Sequence, residues 1–249
     1  MVYPAFVARF YDVVYQKVRT IDHDYYVKKI LEANGPVLEI GTGTGRFFKE
    51  MIEAGADMYG IDANQSMLDV LRKKIDTKYH SRIFHQRAEM FQLNKKFDLI
   101  IAPFRVFSHL ITIDEQLRAL DRIAEHLDDN GSFIFDLFIP DFTAFADNMA
   151  ETTDFEGEYE PGKILKRLVS AQTNRAEQVR NVTMKFVWEE DGSWKSENWT
   201  FPMRYFFRYE LENLVARSQL KLAKIYGDFS ENEITNESKD FVVVCKKLL

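Results

Sequence analysis

The sequence has a single cysteine, Cys245, among its 249 residues. One cysteine cannot form a disulfide within the chain, which excludes a small secreted scaffold held by disulfides and is typical of a reducing cytoplasm. The surrounding segment, FVVVC, predicts that this thiol is a small core residue rather than a reactive one. We therefore expect a cytoplasmic protein that is stabilised by a hydrophobic core.

Long apolar runs and an excess of basic residues are lacking as well. No run approaches the roughly 18 apolar residues of a membrane span, and the first segment, MVYPAFVARFYD, does not resemble a signal peptide. The formal net charge is -6, whereas a nucleic-acid-binding protein usually presents a basic face. No Cys, His and carboxylate cluster has metal-ligand spacing. We expect no membrane span, no nucleic-acid partner and no metal.

Short apolar runs alternate with amphipathic segments along the first half of the chain. The runs are PVLEI, ADMYGID, SRIFHQ, FDLIIA and GSFIFDLF, and each has the length of a buried strand. Residues that favour helix starts precede the amphipathic segments, namely Asp22, Thr44, Asn64 and Thr112. Glu115 gives the last of these the spacing of a capping box. The alternation predicts a parallel sheet with helices on both faces.

The pattern changes between about residues 155 and 207. The segments there are strand-like, KILKRLVSAQ, EQVRNVTMKFVWEE and SWKSENWTFPMRYFF, and Asp191-Gly192 is a hairpin signal. We predict an antiparallel insertion of about three strands, embedded as a β-rich subdomain in a single domain that spans residues 1–249. The chain then returns to a helix, RYELENLVARSQ, and to two closing strands, KLAKIYG and KDFVVVCKK.

The insertion and the segment that follows it are rich in aromatic residues. These are Trp188, Trp194, Trp199, Tyr205, Phe206, Phe207 and Tyr209. Such side chains would roof a substrate pocket, form a homodimer face or fill the core of the insertion, and core packing is the interpretation we favour for most. Arg204 and Arg208 would bind a substrate carboxylate or phosphate, or take the commoner role of surface ion pairs.

The segment VLEIGTGTGR, residues 37–46, places three glycines at alternate positions directly after a strand. Such a turn lets a ligand approach backbone N–H groups closely. It departs from the dinucleotide fingerprint because Arg46 stands in the third glycine's place and Gly45 comes one residue early. A P-loop is excluded since no Gly-Lys-Ser/Thr follows. Glu39 would repel a pyrophosphate and attract a cation, which favours a positively charged ligand over NAD.

VLEIGTGTG resembles motif I of the class I S-adenosylmethionine-dependent methyltransferases, acidic-x-Gly-x-Gly-x-Gly. The segments YGIDANQSML, HQRAEMFQL, FDLIIAPFRVFSHL and LDDNGSFIFDLF are similar to the later segments of that family, in the same order. The resemblance spans roughly residues 1–140 and resumes at about 208. The insertion is similar to that of small-molecule N-methyltransferases, including those acting on amino-sugars. The resemblance implies a Rossmann-like seven-stranded α/β sheet with an antiparallel β insertion, and S-adenosylmethionine as cofactor.

The resemblance also implies roles for individual residues. Asp62, at a strand end, would accept hydrogen bonds from both ribose hydroxyls, while Glu89 would meet the adenine amine and Met90 the ring face. The implied cofactor-binding residues are Tyr11, Tyr15, Glu39, Gly41, Thr42, Gly43, Gly45, Arg46, Asp62, Ala63, Met67, Glu89, Met90, Ala102 and Pro103.

Structural alternatives stand beside several of these roles. Tyr11 and Tyr15 lie where many relatives place a lid tyrosine, yet aromatic packing on an amphipathic helix explains each equally well. Arg46 would reach the cofactor carboxylate or be an exposed first-turn arginine, and Glu89 would instead be a solvated loop charge. Asp62 differs, because an acidic end to an apolar strand is unfavourable without a partner.

The implied reaction is in-line displacement of a sulfonium methyl by a nitrogen or oxygen of a small molecule. An amine reacts once it is deprotonated, whereas an alcohol needs a positioned base. The candidate catalytic residues are His109, in FSHL after the fourth strand, and Tyr11. His109 would otherwise cap the next segment or fill a polar gap. Residues 102–105, Ala-Pro-Phe-Arg, lack the amide or carboxylate of methyltransferases acting on DNA adenine or glutamine.

Two other functions remain open on the sequence alone. One is a catalytically inactive subunit that binds S-adenosylmethionine and acts as a regulator or partner. The other is a nicotinamide dehydrogenase, which Glu39 and the early Gly45 disfavour. The leading interpretation is an active methyltransferase with a small-molecule acceptor.

Overall fold

The structure, a computed structural model, describes residues 3–18, 21–141 and 148–248. Its helices are α1 (Ala5–Val18), α2 (His23–Glu32), α3 (Phe48–Glu53), α4 (Gln65–Lys74), α5 (Ile113–His126) and α6 (Arg208–Ala216), with short 3-10 helices at Thr77–Arg82 and Val106–His109. Its strands are β1 (Val37–Ile40), β2 (Met58–Asp62), β3 (Ile83–His85), β4 (Phe97–Ala102), β5 (Leu127–Phe138), β6 (Met149–Glu160), β7 (Lys163–Asn174), β8 (Val179–Glu190), β9 (Ser193–Arg204), β10 (Leu220–Tyr226) and β11 (Asp240–Lys247).

Seven strands form the larger sheet in the order β10-β11-β5-β4-β1-β2-β3. Strands β1 to β5 pair in parallel, whereas β11 runs antiparallel to both β5 and β10. All four residues of β1 are buried, as expected for a strand covered on both faces. Leu38 and Ile40 face the cluster that holds the apolar residues of α5 and α6, while Val37 faces the cluster of α2, α3 and α4. The predicted doubly covered sheet is confirmed.

The helix-start predictions succeed at one position and fail at another. Glu115 donates its N–H to the Thr112 hydroxyl at 3.2 Å, and Thr112 donates its own N–H to the Glu115 carboxylate at 3.1 Å. The predicted cap at Thr44 is wrong, because α3 begins only at Phe48. Thr44 instead donates its hydroxyl to the Asp12 carboxylate of α1 at 2.6 Å. A residue suited to capping is used here to hold a distant helix.

The smaller sheet is antiparallel, in the order β6-β7-β8-β9. It begins at Met149 and has four strands, so the predicted start near residue 155 and the predicted count of about three strands are both wrong. The sequence of β6, MAETTDFEGEYE, lacks the apolar alternation of a strand because β6 lies at the sheet edge and buries only Phe155 fully. Charged residues on an exposed edge strand also discourage pairing with another chain.

Helix α1 packs against this antiparallel sheet. Val7, Phe10 and Val14 of the helix are almost fully buried in one cluster with Phe186 and Trp188 of β8. The Phe10 and Trp188 ring centroids are 5.3 Å apart. The apolar face of α1 and the covered face of the sheet therefore form a third core, separate from the two cores of the larger sheet.

The aromatic residues of the insertion mostly take the predicted core role. Trp188, Trp199, Tyr205 and Phe206 are buried. Trp194, Phe207 and Tyr209 are exposed instead.

The two arginines beside these aromatics are engaged in ion pairs. Arg208 pairs with Glu212 at 2.9 Å in an exposed position, as the predicted surface ion pair. Arg204 is buried and donates to Glu210 at 2.6 Å, so its pair lies inside the protein rather than on its surface.

The structure bears on two absences noted in the sequence, that of a reactive cysteine and that of a membrane span. Cys245 is fully buried in β11, and burial raises the pKa of its thiol to about 12, as expected of an unreactive core residue. Among the helices of the described ranges, none combines the length and the apolar character that crossing a membrane requires.

Gly45 should be sensitive to substitution because it packs against Leu71. Its φ is +87°, and a Cβ added to it would lie 2.2 Å from the Leu71 Cδ1 atom. We expect Gly45→Ala to lower the free energy of unfolding by about 2–5 kcal/mol, from left-handed strain of about 1–2 kcal/mol and overpacking of about 1–3 kcal/mol. Gly162 also has a positive φ, +74°, but open space around it. Urea unfolding of Gly162→Ala should show only the strain, and equal losses in both variants would contradict the packing role.

Candidate active site

The glycine turn joins β1 to α3 at the carboxyl edge of the parallel strands. Gly41, Gly43 and Gly45 have φ values of +72°, +56° and +87°, which L side chains rarely adopt. The Gly41 N–H donates to the Ile61 carbonyl at 2.8 Å, and the Gly43 N–H donates to the Asp62 carboxylate at 2.9 Å. The turn is therefore fastened to the end of the neighbouring strand β2.

A cavity of about 510 Å³ opens above this turn. It lies where β1 is flanked by β4 and β2, the point at which ligands bind in open α/β sheets. Its size is that of a small-molecule site. The sequence-predicted residues that line it are Tyr11, Tyr15, Glu39, Gly41, Thr42, Gly43, Arg46, Asp62, Ala63, Met67, Glu89, Pro103 and His109.

Three residues of the predicted cofactor set do not line the cavity. Met90 is 67% exposed and does not line the cavity, where Ala88 lies instead, so its contact with an adenine ring face stays a prediction. Ala102 is buried within β4. Gly45 lies under the turn against Leu71, so the lack of a side chain at this position allows close packing rather than the approach of a ligand.

Asp62 ends β2 with a carboxylate that is held on both oxygens. One oxygen accepts the Gly43 N–H, and the other accepts the backbone N–H of Asn64 at 2.8 Å and its side-chain amide at 3.1 Å. Burial raises the pKa of Asp62, although these hydrogen bonds oppose the shift. Asn64 precedes α4 as predicted but makes no side-chain cap, because its oxygen accepts the Tyr3 N–H at 2.6 Å.

Glu39 is a buried carboxyl group in the cavity wall. Its side chain is 2% exposed and accepts the Thr42 hydroxyl at 2.9 Å. Burial raises the pKa of Glu39 to about 8, against the opposing effects of the Thr42 hydrogen bond and the Arg46 charge. Glu39 therefore retains a proton at neutral pH until a cation enters the cavity beside it.

Arg46 is occupied by a buried partner. It donates to both oxygens of Asp22, at 2.9 and 2.6 Å, and Asp22 is 0% exposed. Asp22 immediately precedes α2 as predicted, but without a side-chain cap. The alternative of an exposed first-turn arginine is wrong, and a ligand carboxylate would compete with Asp22 for this guanidinium.

Helix α1 carries tyrosines over the cavity. The rings of Tyr11 and Tyr15 are 4.4 Å apart, and Tyr15 meets the Phe104 ring edge-on at 5.1 Å. Tyr3, which the sequence analysis missed, also lines the cavity and contacts Trp199 at 4.3 Å between ring centroids. Burial raises the pKa of Tyr3 and Tyr11, so both phenols stay neutral at physiological pH.

Glu89 closes the end of the cavity near the loop after β3. Its side chain is only 8% exposed and accepts a hydrogen bond from Arg87, so the alternative of a solvated loop charge is wrong. Arg87 also lies 3.5 Å from the Glu115 carboxylate. The predicted contact of Glu89 with an adenine amine stays a prediction.

The turn after β4 is held in an unusual backbone conformation. Phe104 and Arg105 both have φ of 61° without being glycine, which costs about 1–2 kcal/mol for each residue. Their N–H groups donate to the two oxygens of Asp136, at 2.7 and 3.2 Å, and Asp136 also accepts the Tyr26 hydroxyl at 2.8 Å. This buried carboxylate thus offsets the strain and sets the wall that Phe104 contributes to the cavity.

His109 lies in the cavity wall, at the end of the short 3-10 helix after β4. Burial lowers the pKa of His109 to about 4, although a hydrogen bond with the backbone of Pro202 opposes the shift. Its Nδ1 atom is buried and has no hydrogen-bond partner within the described ranges. His109 is therefore a neutral imidazole at physiological pH and a weak base.

Several lining residues escaped the sequence analysis. They come from the loops after β2, β3 and β4 and from the insertion, and include Asn64, Ala88, Phe104, Val106, Leu110, Met184, Phe201 and Met203. The i, i+2 spacing of Phe201 and Met203 places them on one face of β9, but that pattern does not tell which element covers the face.

Comparisons with known proteins agree with this geometry. The methyltransferase domain family matches residues 37–131. An uncharacterized methyltransferase of Bacillus cereus is 27% identical over 147 residues, 59% of this chain and 67% of that protein. Other Bacillus methyltransferases are matched over 57% of their length.

Two solved structures share the fold over nearly the whole chain. An S-adenosylmethionine-dependent methyltransferase from Clostridium acetobutylicum has a TM-score of 0.77 at 18% identity, covering 97% of this chain and 98% of that one. The S-adenosylmethionine-bound amino pentose methyltransferase CalS10 from Micromonospora echinaspora has a TM-score of 0.71 at 16% identity, covering 99% and 98%. Residues 37–131 thus match the methyltransferase domain family, and the whole chain shares its fold with S-adenosylmethionine-dependent methyltransferases.

The cavity suits S-adenosylmethionine, the cofactor that the sequence resemblance implies and that the solved amino pentose methyltransferase binds. Buried carboxyl groups of Glu39 and Asp62 face the cavity, where a sulfonium and an ammonium need opposite charge. The matched family and relatives are methyltransferases, so neither the binding-only subunit nor the dehydrogenase gains support. In the part of the chain that the structure describes, no cluster of His, Cys, Asp and Glu is placed to hold a metal ion.

Asp62 should decide cofactor affinity. We expect Asp62→Ala to weaken S-adenosylmethionine binding about 10- to 100-fold, because a hydrogen bond to a charged group contributes about 1.5–3 kcal/mol. Isothermal titration calorimetry measures the dissociation constant directly. Asp69→Ala, an exposed carboxylate on α4, is the matched control and should bind like the wild type. Affinity of Asp62→Ala within twofold of the wild type would contradict the ribose role.

Cofactor affinity should also depend on pH through Glu39. A bound cation lowers the pKa of this carboxyl from about 8, so binding releases a proton. Affinity for S-adenosylmethionine is therefore expected to rise as pH increases toward about 8 and to level off above it. Titrations between pH 6 and 9 measure this slope, and Glu39→Gln should remove the part that Glu39 contributes. An unchanged slope in the variant would show that another group is responsible.

Proposed function

We propose that this methyltransferase transfers its methyl group to the nitrogen of a small-molecule amine. We call the part of the cavity lined by His109, Met184, Phe201 and Met203 the acceptor end. The observation that carries the proposal is the absence of a strong base among the described residues of this acceptor end, because burial lowers the pKa of His109 to about 4. An alcohol must lose its proton as it attacks, whereas an amine attacks with a lone pair it already holds. A neutral, weakly basic site therefore favours nitrogen over oxygen.

The remaining residues bind, orient and exclude water. Asp62 and Glu39 would hold the cofactor, which supplies a methyl group activated by its positively charged sulfur. The substrate nitrogen forms the new bond to carbon, the electron pair of the old bond stays on sulfur, and the positive charge passes to nitrogen, which later gives a proton to water. The faces of Tyr11 and Tyr15 contact the space where this charge moves, and aromatic faces stabilise cations. Tyr11 thus acts through its ring rather than as a base.

Further features support a small-molecule enzyme. The formal net charge of -6 and the acidic edge strand β6 are poorly suited to nucleic acid. One solved structure that shares the fold is that of an amino pentose methyltransferase. We propose that the whole chain works as one methyltransferase domain, and that it resides in the cytoplasm, where the single reduced thiol of Cys245 needs no partner.

The choice between nitrogen and oxygen is tested with amines and alcohols of identical carbon skeletons. The enzyme is incubated with S-adenosylmethionine carrying a labelled methyl group, and mass spectrometry locates the label in each product. We expect the amines to be methylated at least about 100-fold faster than the matching alcohols, since the site lacks a base for the alcohol proton. Methylation of the alcohols at equal or higher rates would overturn the proposal.

His109 provides the matching variant. Because a residue with a pKa near 4 cannot drive proton removal, His109→Gln is expected to keep kcat for amines within about tenfold of the wild type. The rate should instead follow the fraction of deprotonated substrate amine as pH rises. A loss of kcat beyond about 100-fold, with intact cofactor binding, would identify His109 as a base and contradict this assignment.

A further inference from the structure

The insertion supplies three apolar side chains to the acceptor end of the cavity. Met184 lies on β8, and Phe201 and Met203 lie on β9. They belong to, or pack against, the cluster beneath α1, so the same sheet face that carries α1 also reaches the cavity. The Tyr15 hydroxyl lies 3.9 Å from the Met184 sulfur, which is a weak acceptor.

A further part of the wall comes from the segment after β4 and is also poor in polar groups. Val106 and Leu110 line the cavity there, and His109 stands between them in sequence. The His109 ring lies 5.8 Å from Phe201 and 6.5 Å from Tyr3 between centroids. A ligand in this space meets aliphatic, thioether and aromatic surface on both sides.

Each arginine that lines the described cavity is already paired with a carboxylate. Arg46 pairs with Asp22 at 2.6 Å, and Arg105 pairs with Asp240 at 3.1 Å.

The third arginine, Arg87, pairs with Glu89 and lies 3.5 Å from Glu115. A phosphate or carboxylate on the substrate would compete with these partners, and Asp22 and Glu89 are too buried to be stabilised by water instead. The cavity thus offers no ready site for an anion.

A substrate with many hydroxyl groups is equally poorly served. Each hydroxyl that loses water without a new partner costs roughly 1–3 kcal/mol, and Val106, Leu110, Phe201 and Met203 offer none. The Nδ1 atom of His109 has no partner within the described ranges, but it is buried and therefore gives a substrate hydroxyl no accessible acceptor.

We infer that the acceptor is a primary or secondary amine on an apolar, uncharged body. The inference rests on the proposed function and narrows it. It assigns specificity to Met184, Phe201 and Met203, which contact the body of the substrate. Phosphorylated, nucleotide-linked and polyhydroxylated amines are excluded by the paired arginines and the apolar walls.

The test compares cyclohexylamine with glucosamine and glucosamine 6-phosphate. Because these amines differ in basicity, kcat/KM is expressed per deprotonated amine. We expect cyclohexylamine to exceed glucosamine by at least about tenfold and the phosphate ester by more, as unpaired buried polar groups cost that much. A preference for glucosamine or its phosphate would overturn the inference but leave nitrogen methylation intact. Methylation of cyclohexanol in place of cyclohexylamine would instead overturn the proposed function itself.

A conservative variant checks that the insertion sets this preference. Met184→Gln keeps the length of the side chain but places an amide against the apolar substrate, so the preference for cyclohexylamine over glucosamine should fall about tenfold. Calorimetry should show unchanged S-adenosylmethionine affinity. Lys185→Gln, on the opposite face of β8, is the matched control and should leave the preference unchanged. An unaltered preference in Met184→Gln would show that the insertion does not contact the acceptor.

Discussion

The hydrogen bond from the Gly43 N–H to the Asp62 carboxylate is the contact on which the cofactor end depends. It ties the turn after β1 to the end of β2 at 2.9 Å, while Asn64 holds the other carboxylate oxygen. With both oxygens engaged, the carboxylate has one orientation, and the left-handed turn has a fixed partner. The neighbouring Glu39 is buried in the same wall, where an incoming cation favours the ionised form of its carboxyl group.

Helix α1 connects the cofactor end of the cavity with the acceptor end. Its Asp12 accepts the Thr44 hydroxyl of the glycine turn and pairs with Lys74 of α4, so the polar face of the helix is fastened to the cofactor side. Its apolar face, with Phe10, packs on the insertion sheet. One helix therefore joins both ends of the cavity, and its tyrosines lie between them.

The sequence allowed prediction of the features that local patterns determine. The parallel sheet, the capping box at Thr112 and the strand-end position of Asp62 all follow from periodicity and spacing. Features set by tertiary partners were missed. Strand β6 lacks apolar alternation because it is an exposed edge, and nothing local in the sequence reveals that Arg46 has the buried partner Asp22. Met90 follows Glu89 in sequence, yet the chain turns it to solvent.

The distribution of charge in the cavity supports the proposed methylation of an amine without a strong base. Methyl transfer to a neutral amine moves one positive charge from sulfur to nitrogen without creating or destroying charge, so the site must tolerate a cation at both positions. Carboxyl groups serve the cofactor side, and the rings of Tyr11 and Tyr15 serve the space beyond it. A protonated, positively charged His109 would repel the new ammonium group, whereas a histidine that burial keeps neutral does not. Apolar walls and a weakly basic histidine are thus two consequences of the same requirement.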